Sequence, residues 1–139
     1  DNIPGSGAAG GLGTALMVFL NGTLKSGIET VLDLVDFDEH LKDVDIVVTG
    51  EGATDWQSVF GKVMQGVGVH CKKHHIPAVA IVGSMGSGAE DIFDYGIESI
   101  ITTVNNIMPL SDALNHAEEL YLGAARRMFR LLKAGMQMR

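Results

Sequence analysis

At 139 residues the chain has the length of one domain and is long enough to bury a core. Its net charge of −7 excludes a binder of the nucleic-acid backbone, which needs a basic face, but not a nucleotide, whose phosphates answer to local groups and metal ions. No apolar run approaches the ~18 residues of a membrane span, and the single cysteine, Cys71, excludes an internal disulfide and fits a reducing cytoplasm.

A hydrophobic content of 46% beside 19% charged residues reads as globular. The eighteen glycines cluster at 5–13, 50–52 and 83–88, marking special backbone sites and not a flexible linker. The start, Asp1-Asn2-Ile3-Pro4, carries no signal-peptide pattern and suggests a segment of a longer chain.

Residues 4–13, Pro-Gly-Ser-Gly-Ala-Ala-Gly-Gly-Leu-Gly, predict a glycine-rich turn entering Thr14–Leu20, a buried helix that is apolar nearly all round and stops at Asn21-Gly22. The glycines either face an anion with backbone amides and a helix N-terminus or allow tight packing. Neither the Walker lysine pattern nor Gly-x-Gly-x-x-Gly between a strand and a helix is present. Ser26-Gly27-Ile28-Glu29 predicts a capped helix start, with Ile28, Val31, Leu32 and Val35 on its apolar face. Residues 36–43 continue as a short helix, Phe37 and Leu41 inward and Asp33, Asp36, Asp38 and Glu39 on a solvated face.

Ile46 to Val48 reads as a strand buried on both faces, followed by a loop from Gly50 to Lys62 that carries Glu51, Asp55 and Gln57. A helix runs from Val59 or Phe60 to about Lys73. His74 and His75 lack a third metal ligand nearby, and Cys71 belongs to the core. Ala78–Val82 predicts a second buried strand, feeding Gly83-Ser84-Met85-Gly86-Ser87-Gly88. Ala89–Tyr95 is a short helix and Ser99–Val104 a third strand. Ser111 caps a long helix to about Lys133, with an apolar stripe that includes Ala113, Leu114, Ala117, Tyr121, Ala124 and Met128. Arg126, Arg127, Arg130 and Lys133 form a basic surface at its C-terminal half.

The order β-α-β-α-β-α predicts an α/β fold: a parallel, three-layer Rossmann-like sheet with right-handed crossovers, preceded by a helical, glycine-rich N-terminal segment. Residues 44–139 form the Rossmann-like portion. Residues 1–43, the glycine-rich turn plus helices, either cover a face of the sheet or belong to a second domain of a longer protein.

Two loops then lie beyond the carboxyl ends of parallel strands, where open α/β folds bind ligands. One offers carboxylates and a lysine, the other backbone amides and serines. Phosphoryl transfer needs that division: donors and a cation hold phosphates, while acids hold magnesium or take the proton of the accepting hydroxyl. A carboxylate after a parallel strand also occurs in phosphatases, response-regulator-like domains and dinucleotide enzymes.

Pro4 to Gly13, Ser26-Gly27-Ile28-Glu29, Thr49-Gly50-Glu51-Gly52 with Asp55, Gln57 and Gly61-Lys62, and Gly83-Ser84-x-Gly86-x-Gly88-Ala89-Glu90 together resemble the bacterial glycerate kinase family, in order and spacing, over essentially the whole chain. Ala53 stands where the family pattern has a basic residue, and Trp56 where it has a small polar one. The resemblance implies ATP- and magnesium-dependent phosphorylation of a D-glycerate hydroxyl in the cytoplasm, by a longer protein of roughly two domains whose C-terminal part this chain resembles. It implies catalytic Glu51, Asp55 and Lys62, with Glu51 and Asp55 also the metal ligands. Gly5, Ser6, Gly7, Gly10, Gly11, Gln57, Gly83, Ser84 and Gly86 would bind substrate or phosphate. The segment alone is expected to be inactive. Two competing readings are a small non-catalytic module that binds an anion or nucleotide, and a fragment whose exposed apolar surface is covered by self-association into a homo-oligomer.

Overall fold

In the computed structural model, which describes residues 7–59 and 62–138, the chain begins with α1 (Ala8–Leu20), α2 (Gly27–Leu34) and α3 (Phe37–His40), the last continuing into a 3-10 turn at Leu41–Asp43. Next come β1 (Val47–Thr54), a 3-10 turn at Trp56–Val59, α4 (Val63–Lys73) and β2 (Ala78–Met85). A 3-10 turn at Ala89–Tyr95, β3 (Ile97–Thr102), α5 (Leu110–Asn115) and α6 (Ala117–Gly135) complete the order.

The strands form a parallel sheet in the order β1-β2-β3. Side chains alternate across β2. Ala78, Ala80 and Val82 face Met64, Val67 and Cys71 of α4 and Ile92 of the 89–95 turn. Val79 and Ile81 face Ala124 and Met128 of α6. Both crossover segments therefore lie on one face, as two crossovers of the same hand must when the strand order advances in one direction. The result is the three-layer α/β arrangement that the β-α-β-α-β-α pattern predicts. Met64 and Ile92 are fully buried, and side chains of that size contribute about 1.5–3 kcal/mol each on burial.

Leu32 of α2 and Leu41 of the following turn belong to the same apolar cluster as α4, with Ile28 and Phe37 packed against it. Gly66 makes this seat: a Cβ there would stand 2.4 Å from Ile28 Cγ1. The capping box predicted at Ser26 does not form. Ser26 is the N-cap residue but makes no side-chain cap bond; its carbonyl accepts the Thr30 hydroxyl at 2.9 Å, and Glu29 reaches His70 instead.

The structure corrects four other expectations. β1 runs on through Thr54, because Glu51, Ala53 and Thr54 keep pairing with Val82, Ser84 and Met85; Glu51 is a strand residue, not a loop residue. Nor is β1 buried on both faces, since Val48 is 41% exposed. The buried helix predicted at 14–20 exposes Val18, Phe19 and Leu20, so no described residue covers that side of its apolar circumference. Its first turn is broken by left-handed backbone at Ala9, Gly10 and Gly11. The helix expected from Ser111 to Lys133 is two helices: Pro109 takes the N-cap position of α5, and the chain bends at His116, whose Nδ1–H donates to the Asp112 carbonyl at 2.9 Å.

Candidate functional site

Glu51 pairs with Val82 and lies four residues after Val47, which packs toward α4, so strand periodicity puts its side chain on that face. There it lines an open cleft of about 480 Å³ with Lys62; the walls are Gly27, Ile28 and Val31 of α2 and Val63 and Val67 of α4. Lys62 sits in extended backbone at the N-cap of α4 and is exposed. Two of the three predicted catalytic residues thus meet across one cleft.

Glu51 also borders a hollow of about 390 Å³ with Gly50, Gly83, Thr103 and Tyr121. Gly83, Thr103 and Tyr121 continue into a cavity of about 490 Å³, apolar at Leu110, Ala113, Leu114 and Ala117, with Ser84 and Glu118 as polar edges. It opens at the carboxyl ends of β1, β2 and β3, the customary ligand crevice of such sheets.

Asp55 lies outside the lining of the Glu51–Lys62 cleft. Its Oδ1 accepts the Gln57 backbone N–H at 2.8 Å, an Asx turn that fixes the chain after β1. The acidic segment and the second glycine loop are tied together: the Gly86 N–H donates to the Thr54 carbonyl at 2.7 Å, and the Trp56 N–H to the Ser87 carbonyl at 3.0 Å. The Gly86 amide is therefore engaged within the protein. Of the first glycine cluster, Gly5 and Ser6 lie outside the described residues. Gly7, Gly10 and Gly11 stand at the start of α1 and do not line the cleft.

Among the described residues no group of three or more His, Cys, Asp and Glu side chains is placed to hold a metal ion. Magnesium rarely needs such a cage: one or two carboxylates, waters and substrate phosphates suffice. Glu51, on an open cleft, fits that role.

Sequence reasoning assigned Asp38 to a solvated face, but it is the hub of a charge cluster. Its Oδ1 accepts from His70 Nδ1 at 2.5 Å, and its Oδ2 accepts from Lys73 at 2.9 Å and lies 3.1 Å from His74 Nε2. His70 Nε2 reaches Glu29 Oε2 at 3.1 Å. The hydrogen bond from His70, then that from Lys73 and the nearness of His74, hold the Asp38 carboxyl well below the usual carboxylate range; the same Asp38 bond raises His70, against the effect of its burial. Burial pushes the Cys71 thiol up to about 11, so it is no nucleophile. The available signal was the spacing of His70, Lys73 and His74 on one helical face opposite an acid-rich segment. Arg127, read as part of a basic surface, instead donates to the Thr102 carbonyl at 2.8 Å and anchors α6 to the end of β3.

With this geometry in hand, comparison with known proteins is decisive. The glycerate kinase family profile matches residues 1–133. The chain belongs to the glycerate kinase family. It is 44% identical over 127 residues to a glycerate kinase of Halalkalibacterium halodurans, covering 91% of this chain and 33% of that protein. It is 40% identical over 136 residues to the glycerate 2-kinase of Escherichia coli, covering 98% and 36%. A crystal structure from Salmonella typhimurium LT2, named for glycerate kinase 2, superposes with a TM-score of 0.72 at 38% identity, over 96% of this chain and 34% of that one. The chain thus spans about a third of the length of the glycerate kinases it matches.

Proposed function

We propose that the longer protein containing this chain transfers the γ-phosphate of ATP to a hydroxyl of D-glycerate, with magnesium, in the cytoplasm. The observation that carries the reading is the convergence of Glu51 and Lys62 on one cleft beside the carboxyl edge of a parallel sheet, in a chain of the glycerate kinase family. Lys62 is a flexible point charge suited to a phosphate or to the glycerate carboxylate. Glu51 takes the proton of the accepting hydroxyl or holds magnesium against the phosphates. Asp55 fixes the turn through Oδ1 and adds a second negative charge for magnesium, with Gln57 orienting. The apolar cavity of Ala113 and Ala117 suits the nucleoside, which places its phosphates toward Gly83 and Ser84.

In the longer protein, residues 44–139 supply the Rossmann-like portion, and the helices before it cover the α4 side of the sheet through Leu32 and Leu41, the first of the two placements that the sequence left open for residues 1–43. By itself the chain holds one side of the cleft and should not turn over. A coupled ADP-release assay on the full-length protein with D-glycerate tests the reading, and no rate above that without glycerate would end it. The E. coli relative is named for the 2-hydroxyl; phosphorus NMR of the product distinguishes 2- from 3-phosphorylation.

A further inference from the structure

The His70 ring lies between two carboxylates contributed by two different helices. Nδ1 meets Asp38 Oδ1 of α3 at 2.5 Å and Nε2 meets Glu29 Oε2 of α2 at 3.1 Å, while the ring itself belongs to α4. Ionised carboxylates only accept hydrogen bonds, and a neutral imidazole has a single N–H. Both contacts are satisfied at once only by the doubly protonated ring. The His70 side chain is 15% exposed, and Phe37 of α3 packs edge-on against it at 6.1 Å between centroids. The other titratable groups in the cluster, Lys73 in the last turn of α4 and His74 at its C-cap, face the second oxygen of Asp38.

α2 has little else among its own buried side chains to hold it against α4. Of its residues only Leu32 is buried, whereas α4 buries Met64, Gly66, Val67, Gly68 and Cys71. Yet Gly27, Ile28 and Val31 of α2 form the wall facing Lys62 and Glu51. We propose that His70 is a positioning residue for that cleft: its imidazolium, gripped by Glu29 and Asp38, pins α2 and α3 on α4, and loss of one proton releases the α2 wall. The neutral ring keeps its bond to Asp38 and drops Glu29, the longer and more exposed contact.

The inference rests on the proposed function only for its catalytic consequence, so its test reads structure. Hydrogen exchange of the full-length protein is followed by mass spectrometry from about pH 5.5 to about pH 8.5, the range in which histidines switch, with intrinsic pH dependence divided out. Peptides covering α2 in the wild type should lose roughly threefold to tenfold of their protection as pH rises, while β2 peptides stay constant. His70→Gln should show the low protection at every pH. Glu29→Gln, at a half-exposed position where folding is safe, should start lower and lose the pH dependence of α2. Wild-type α2 protection that is flat with pH, or a Glu29→Gln profile matching the wild type, would overturn the proposal whether or not the protein phosphorylates glycerate.

Discussion

Gly83 and Gly52 line the same apolar cavity, yet alanine at the two positions should have opposite effects. A Cβ on Gly83 would stand 2.2 Å from the Gly52 carbonyl oxygen, whereas a Cβ on Gly52 would meet nothing within 4 Å. Ordinary carbon contacts are roughly 3.5 Å, so in Gly83→Ala the oxygen must retreat by roughly 1 Å. That oxygen is backbone, held in a ladder whose strands stand about 4.8 Å apart, so no side-chain rotation relieves the clash. Overpacking costs about 1–3 kcal/mol, and a rigid obstacle puts Gly83→Ala at about 3. Gly52→Ala restricts the unfolded chain without a clash and should stabilise by about 0.5 kcal/mol. Urea unfolding of both variants at constant slope measures the difference. If the two unfolding free energies fall within about 1 kcal/mol of each other, β1 and β2 do not approach as closely as described.

The remaining expectations concern charge and polarity. Glu51→Gln and Lys62→Gln should each lower kcat/KM for D-glycerate by about a hundredfold with unchanged melting, if they act in the transition state; Asp55→Asn retains an Oδ1 for the Gln57 amide, so any comparable loss measures the carboxylate charge and not the turn. Thr54 is fully buried and its hydroxyl has no hydrogen-bond partner, so Thr54→Val should raise stability by about 1 kcal/mol in the same urea assay. Because the folded state depresses Asp38 below its ordinary 3.8, the stabilisation is full above that value and disappears as pH falls through the lower folded one. Asp38→Asn should therefore cost about 1 kcal/mol at neutral pH, discounting for solvent screening, and flatten the acid limb of the thermal stability curve.

The strand–helix alternation was legible because Ala78–Val82 and the stripe of α6 at Ala124 and Met128 carry the periodicities that burial imposes; the inward face of α4 was not, since it is Met64, Val67 and Cys71 that are buried while Val63 and Val69 are exposed. The extent of β1 was not. Gly50, Glu51 and Gly52 look like a loop by propensity, but register with β2 keeps them in the sheet, an instance of tertiary context overriding local preference. That Glu51 and Lys62 belong to one site was suggested by charge and spacing, while the cleft they share depends on α2, whose placement hinges on Gly66 and no local motif announces it. The Asp38 cluster escaped for the same reason: Glu29, Asp38 and His70 are up to forty-one positions apart, and only the docking of α2 and α3 on α4 unites them. Ser111 and the helix break at His116 show the limit of capping signals when a proline two residues upstream already fixes the start.

These placements explain how a charge far from the cleft can still govern it. Lys62 and His70 sit at opposite ends of α4, about 12 Å apart along the axis. α4 itself is a poor conduit for any adjustment, since its inward face is fully packed at Met64 and Cys71 and a close-packed core resists small displacements. α2 has a single buried side chain and is held at Glu29 by the imidazolium. Elements with few buried contacts open first. The soft wall of the cleft, and not the helix that carries its lysine, is therefore where proton binding at His70 is converted into geometry at Glu51.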